Sequence, residues 1–212
     1  MTRRRGVVSA AAAAFAFLIL PAMSTAQEDT WADAKALRVV VRSDDYLQRA
    51  SAALGADPPA LAARPLAANL HAVIVLDLPR SLRTADQRHL DELKLTLEQA
   101  FEVAAKNTVA ALPPLSESAP PVQRGRIGRV PGSVYEVGRV AVHSEWATLA
   151  EKQGGTLLVA VPTTDLVLYV PEATPAAIDA LRKVASDIMG KSSNPLSSTI
   201  LRWTKGRWET VE

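Results

Sequence analysis

The 212-residue sequence predicts an α+β protein, a mostly antiparallel sheet with helices packed on it and a C-terminal β-hairpin. Three observations lead there. Apolar runs of strand length recur at residues 72–78, 156–162 and 165–171. Capping signals for helices stand at Thr84, Thr96 and Thr174, between and after those runs. The last 13 residues, ILRWTKGRWETVE, fold back on themselves at Lys205-Gly206.

Taken in order, residues 37–42 (LRVVVR) are β-branched, end at Ser43-Asp44-Asp45, and predict a first strand. Residues 46–54 predict a short helix closed by Gly55; Asp57-Pro58-Pro59 breaks the chain, and residues 60–68 fit helix and strand equally. The run at 72–78 is apolar on both faces until Asp77, as a central strand covered on both sides requires, and Pro79 ends it. Thr84 with Gln87 and Thr96 with Gln99 match the capping box, in which hydroxyl and amide side chains satisfy free backbone groups reciprocally. In the second helix Leu97, Phe101, Ala104, Ala105, Thr108 and Leu112 form one stripe, and Pro113-Pro114 stops it.

Residues 113–132 (PPLSESAPPVQRGRIGRVPG) have no periodicity and predict a long exposed loop within one domain spanning residues 27–212, since strand-like residues resume at 133–137. Ser144 predicts a helix over 145–152 with Gly154-Gly155 as its stop. The runs at 156–162 and 165–171 predict a hairpin across Thr163-Thr164. Thr174-Pro175 then opens a helix whose Ile178, Leu181, Ala185 and Ile188 face one side. For the terminal hairpin two registers stand open. A two-residue turn pairs Trp203 with Trp208 and Arg202 with Glu209, whereas a three-residue loop sets Arg202 against Trp208 as a cation–π contact. In both, the rings read as closure of the core rather than as a ligand platform.

The N-terminus bounds the setting. Arg3, Arg4 and Arg5 precede an apolar stretch over 7–20, and Ser24-Thr25-Ala26 fits a cleavage site, so residues 1–26 predict a secretory signal peptide and a periplasmic or secreted product. The stretch is short for a spanning helix and Pro21 follows it, which argues against a stable membrane anchor after cleavage. Removing that segment takes three arginines and no acid, leaving 21 basic against 22 acidic residues where the whole chain has 24 against 22. A near-neutral chain gives no reason to expect nucleic acid as a partner. With no cysteine, an exported chain depends on packing alone, without disulfides.

Five pieces in order, VVVRS (39–43), RPLAANLHAVIVLDLPRSLR (64–83), AAKNTVAALP (104–113), GGTLLVAVPTTDLVLY (154–169) and NPLSSTILRWTKGRWE (194–209), resemble the YtpQ family of uncharacterised bacterial proteins. The resemblance covers most of the chain after the export segment. It implies no activity, because the family has none established and thus no catalytic residues to carry over. Two departures are visible. Family members usually have a longer N-terminal region in place of an export signal, and a Gly-aromatic-acidic stretch with an Ala-Ser pair where this chain reads GRVAVHSEW.

Candidate chemistry is sparse. His71, His89 and His143 lack metal-ligand spacing, so neither a metal nor a cofactor is expected. Asp77 and Asp165, at strand ends, would suit acid–base work if brought together, and suit turn capping if not. Arg124, Arg126 and Arg129 concentrate three guanidinium groups around Gly125 and Gly128, a pattern for carboxylate or phosphate recognition as well as for a solvated loop. The function this predicts is non-catalytic binding of an envelope or secreted protein through those arginines. The alternative is a cell-envelope hydrolase built on acidic or histidine residues.

Overall fold

The computed structural model describes residues 33–211, so the export segment read at 1–26 lies outside the described residues. The architecture is α+β, with two antiparallel sheets in place of one. The first contains β1 (Leu37–Ser43), β2 (Ala63–Ala67), β3 (Leu70–Leu78) and β4 (Ser81–Thr84), in the order β1-β3-β2 with β4 also on β3. β3 pairs with all three others, and its run is apolar on both faces because helices cover each of them. One face packs on Ala100, Phe101 and Ala104 of the long helix α3 (Leu97–Ala110). The other holds Val40, Val73 and Val75 beneath Leu47 of α1 (Asp44–Ala52) and Val134 and Tyr135 of α5 (Val134–Gly138).

The second sheet runs β5-β7-β6-β8-β9: β5 (Gly128–Pro131), β6 (Leu158–Thr163), β7 (Leu166–Val170), β8 (Ile200–Thr204) and β9 (Arg207–Val211). Leu158, Ala160, Leu168 and Ile200 face Leu181 and Ala185 of α7 (Pro175–Met189), the helix capped by the Thr174 hydroxyl. The opposite face, with Val159, Val167, Tyr169 and Leu201, meets Trp146, Leu149 and Ala150 of α6 (His143–Lys152). Val41 and Leu70 of the first sheet belong to that same cluster, so both sheets share one core.

Polar groups and close approaches lock β1 in place. Thr108, a polar residue inside the α3 stripe, accepts from the Val39 amide at 2.9 Å and donates to the Ala104 carbonyl at 2.8 Å, both bonds buried. Gly138 lies so close to β1 that a Cβ would fall on the Val39 carbonyl oxygen; only glycine fits.

Several expectations are corrected. Residues 133–137 are helical: Ser133 caps α5 by accepting from the Tyr135 amide, and the demand that Gly138 reach β1 overrides the strand propensity of Val134, Tyr135 and Val137. Thr84 caps nothing; it ends β4, and Asp86 caps α2 (Gln87–Leu93) in a box with His89. Ser144 lies inside α6, which begins at His143 without a side-chain cap. Residues 113–132 are not an exposed loop throughout. They include α4 (Leu115–Ser118) and β5, and Leu115, Ala119 and Val130 are buried.

The terminal hairpin takes the two-residue turn, with Lys205 and Gly206 at φ +50° and +83°, the mirror-image conformation that matches strand twist. Trp203 pairs with Trp208 and Arg202 with Glu209, which removes the Arg202–Trp208 stack. Trp208 meets Trp203 and Trp146 edge-to-face at centroid distances of 4.9 and 5.5 Å, and its indole N–H donates to the Val140 carbonyl at 2.7 Å. The tryptophans close the core. Among the described residues, no helix is long and apolar enough to cross a membrane.

Candidate functional site

The arginine segment is a short protrusion between fixed ends. Upstream, Leu115 and Ala119 are buried and the Tyr169 hydroxyl donates to the Pro120 carbonyl at 2.5 Å. Downstream, β5 pairs with β7 from Gly128 opposite Tyr169 to Pro131 opposite Leu166. Between them residues 123–126 form a turn closed by the Arg126 amide on the Gln123 carbonyl at 3.1 Å. Arg124 and Arg126 stand exposed on that turn, and Arg129 is exposed on the edge strand β5.

Among the described residues none of the three makes an ion pair. The amide nest expected at Gly125 is already occupied, because its N–H donates to a Glu172 carboxylate oxygen at 2.6 Å. What this surface offers an anion is therefore the guanidinium groups, with one carboxylate of the chain itself beside them.

The candidates for acid–base work do not converge. Asp77, in the first sheet, lies 3.8 Å from the Arg38 guanidinium and beside Tyr135, whose phenol is pushed well above its usual range by burial and then by that carboxylate. Asp165, at the β6–β7 turn, accepts from the Thr163 hydroxyl at 2.6 Å. Both read as turn and strand-end anchors. His71 lies 2.5 Å from Asp44, and His89 lies 2.8 Å from Asp86 within the α2 cap. His143 packs edge-on against Trp203 at 5.5 Å, and burial, then the nearby Arg64 charge, hold its pKa below the usual 6.5. Among the described residues, no group of three or more His, Asp or Glu side chains could hold a metal ion.

Three polar arrangements escaped the sequence reading. The first is Arg139, fully buried, with Glu136 at 3.1 Å, Glu145 at 2.7 Å and the Pro113 carbonyl as partners. The Glu136 contact is an ion pair whose alignment is too poor for a hydrogen bond. The second is Asp86, 1% exposed, which holds Arg88 at 2.6 Å and His89 at 2.8 Å beside a cleft of about 440 Å³. Burial raises its pKa, but hydrogen bonds from Arg88 and His89 win and leave it below 3.8. The Asp-x-x-His spacing was the available signal, a capping box shifted two residues from Thr84. The third is Arg42, in a groove between the sheets. Compared with known proteins, the chain matches no family model, no curated protein and no solved structure.

Proposed function

We propose that this is an exported, YtpQ-like, non-catalytic binding protein that takes an acidic envelope or secreted protein on Arg124, Arg126 and Arg129. The observation that carries the reading is the state of these guanidinium groups: three on one short protrusion, exposed and without an ion pair among the described residues. Exposed arginines present forks matched to carboxylates at little desolvation cost. A partner bearing Asp or Glu side chains gains from all three, and the contact weakens with salt.

The test is an affinity capture from the envelope of the native host, with the protein as one bait and a variant carrying Arg124→Ala, Arg126→Ala and Arg129→Ala as the other. A stoichiometric protein retained by the first, lost with the second and eluted by moderate salt supports the proposal. Equal capture by both baits refutes it.

The envelope-hydrolase alternative has one observation in its favour, the Asp86–His89 contact beside the α2 cleft. The same two residues are fully accounted for as a helix cap. Turnover of ester or peptide substrates that His89→Gln abolishes, with folding intact, would restore that reading.

A further inference from the structure

We propose a second binding site, independent of the arginine segment: the groove between the two sheets takes the carboxylate of a small molecule, and Arg42 is its anchor. The groove measures about 500 Å³. One wall comes from the end of β1 and the start of α1, with Arg42, Ser43 and Tyr46; the other comes from Thr164 and from Ser193 and Asn194.

Arg42 is only 9% exposed, yet among the described residues it has no carboxylate partner. One N–H donates to its neighbour, the Val41 carbonyl, at 3.0 Å, and its guanidinium carbon lies 5.1 Å from the Tyr46 ring centroid. A guanidinium has five N–H donors, and burying its charge without a counter-ion is costly. The other deeply buried arginine among the described residues obeys that rule, since Arg139 has two carboxylates. Arg42 departs from it at the side of an open groove.

The surrounding chemistry selects the ligand. Asp44 and Asp45 also line the groove, so its field is not simply positive, and selection falls to the geometry of the ligand rather than to its net charge. Asp44 is engaged by His71 at 2.5 Å, while Arg49 adds a second positive charge. A planar carboxylate matches the guanidinium fork in two parallel bonds. Asn69, whose amide oxygen accepts from the Ser197 hydroxyl at 2.9 Å, is held in position to offer its NH₂ group. The far wall is tied by the Thr164 amide on the Asn194 carbonyl at 3.3 Å.

The test uses the protein purified from its host, as processed there, with succinate, alanine and inorganic phosphate as probes. Thermal-shift titration is followed by calorimetry. Succinate, alanine or both raise Tm saturably, and Arg42→Gln lowers the affinity by about tenfold or more, the loss of one charge-assisted pair. The Arg124/Arg126/Arg129 alanine variant responds like the wild type, which separates this site from the first. Ser193 is exposed, so Ser193→Trp blocks the groove without touching the core, and decides the matter if Arg42→Gln does not fold. The proposal is overturned if neither carboxylate binds, if phosphate alone binds, or if Ser193→Trp responds like the wild type.

Discussion

Replacing Trp208 by alanine is expected to remove the keystone joining the terminal hairpin to α6. Trp208 is 5% exposed, meets two other indoles edge-to-face at 4.9 and 5.5 Å, and donates to the Val140 carbonyl at 2.7 Å. Truncating a buried tryptophan to alanine costs about 3–5 kcal/mol. For a domain of this size that lowers Tm by roughly 6–20 °C, a large fraction of a typical stability of about 5–15 kcal/mol. Trp208→Phe keeps most of the apolar contact but leaves the buried Val140 carbonyl without its donor, a loss of about 1–3 kcal/mol. Urea unfolding followed by far-UV circular dichroism reads both variants without depending on the indole itself. The expected order is wild type, then Trp208→Phe, then Trp208→Ala. An alanine variant within about 1 kcal/mol of wild type would refute core closure and return the tryptophans to the surface as a ligand platform.

Three further outcomes follow from the same contacts. Arg139→Met leaves Glu136 and Glu145 facing each other without their cation and costs about 3–5 kcal/mol by denaturant unfolding, whereas adding Glu136→Gln and Glu145→Gln recovers part of the loss. Gly138→Ala forces a Cβ onto the Val39 carbonyl and pushes α5 off β1, so soluble yield and Tm both fall. His143 has a folded-state pKa below 6.5, so the unfolded chain takes up a proton that the folded chain refuses. Its contribution is complete above pH 6.5 and is lost as pH falls through the folded value; Tm drops between pH 7.5 and 5, and His143→Phe reduces the drop. An identical pH slope in that variant would contradict the assignment.

How much of this was legible in the sequence depends on the range of the determining contacts. β3, β6, β7 and α7 were readable because local pattern decides them: apolar runs on both faces, a single stripe, and Thr174-Pro175 as an entry signal. α5 was not, because its helicity follows from the approach of Gly138 to Val39, 99 positions away. The 113–132 segment read as exposed because its buried residues, Leu115, Ala119 and Val130, are scattered among prolines, and their partners come from elsewhere in the chain. Arg124, Arg126 and Arg129 were visible as a cluster. Their lack of ion pairs among the described residues, and the Glu172 contact at Gly125, were not. Arg42 looked like an ordinary polar strand end, since only the second sheet makes it the wall of a groove.

The arginine protrusion is proposed as the face on which a partner protein sits. A photo-crosslinking residue at the exposed Gln123, next to the arginines and sparing all three, tests it in the living host, with the exposed Glu102 on α3 as control. One discrete adduct is expected from Gln123, none from Glu102, and the adduct should disappear when Arg124, Arg126 and Arg129 are alanine. No adduct at Gln123, or the same adduct from both positions, would contradict it.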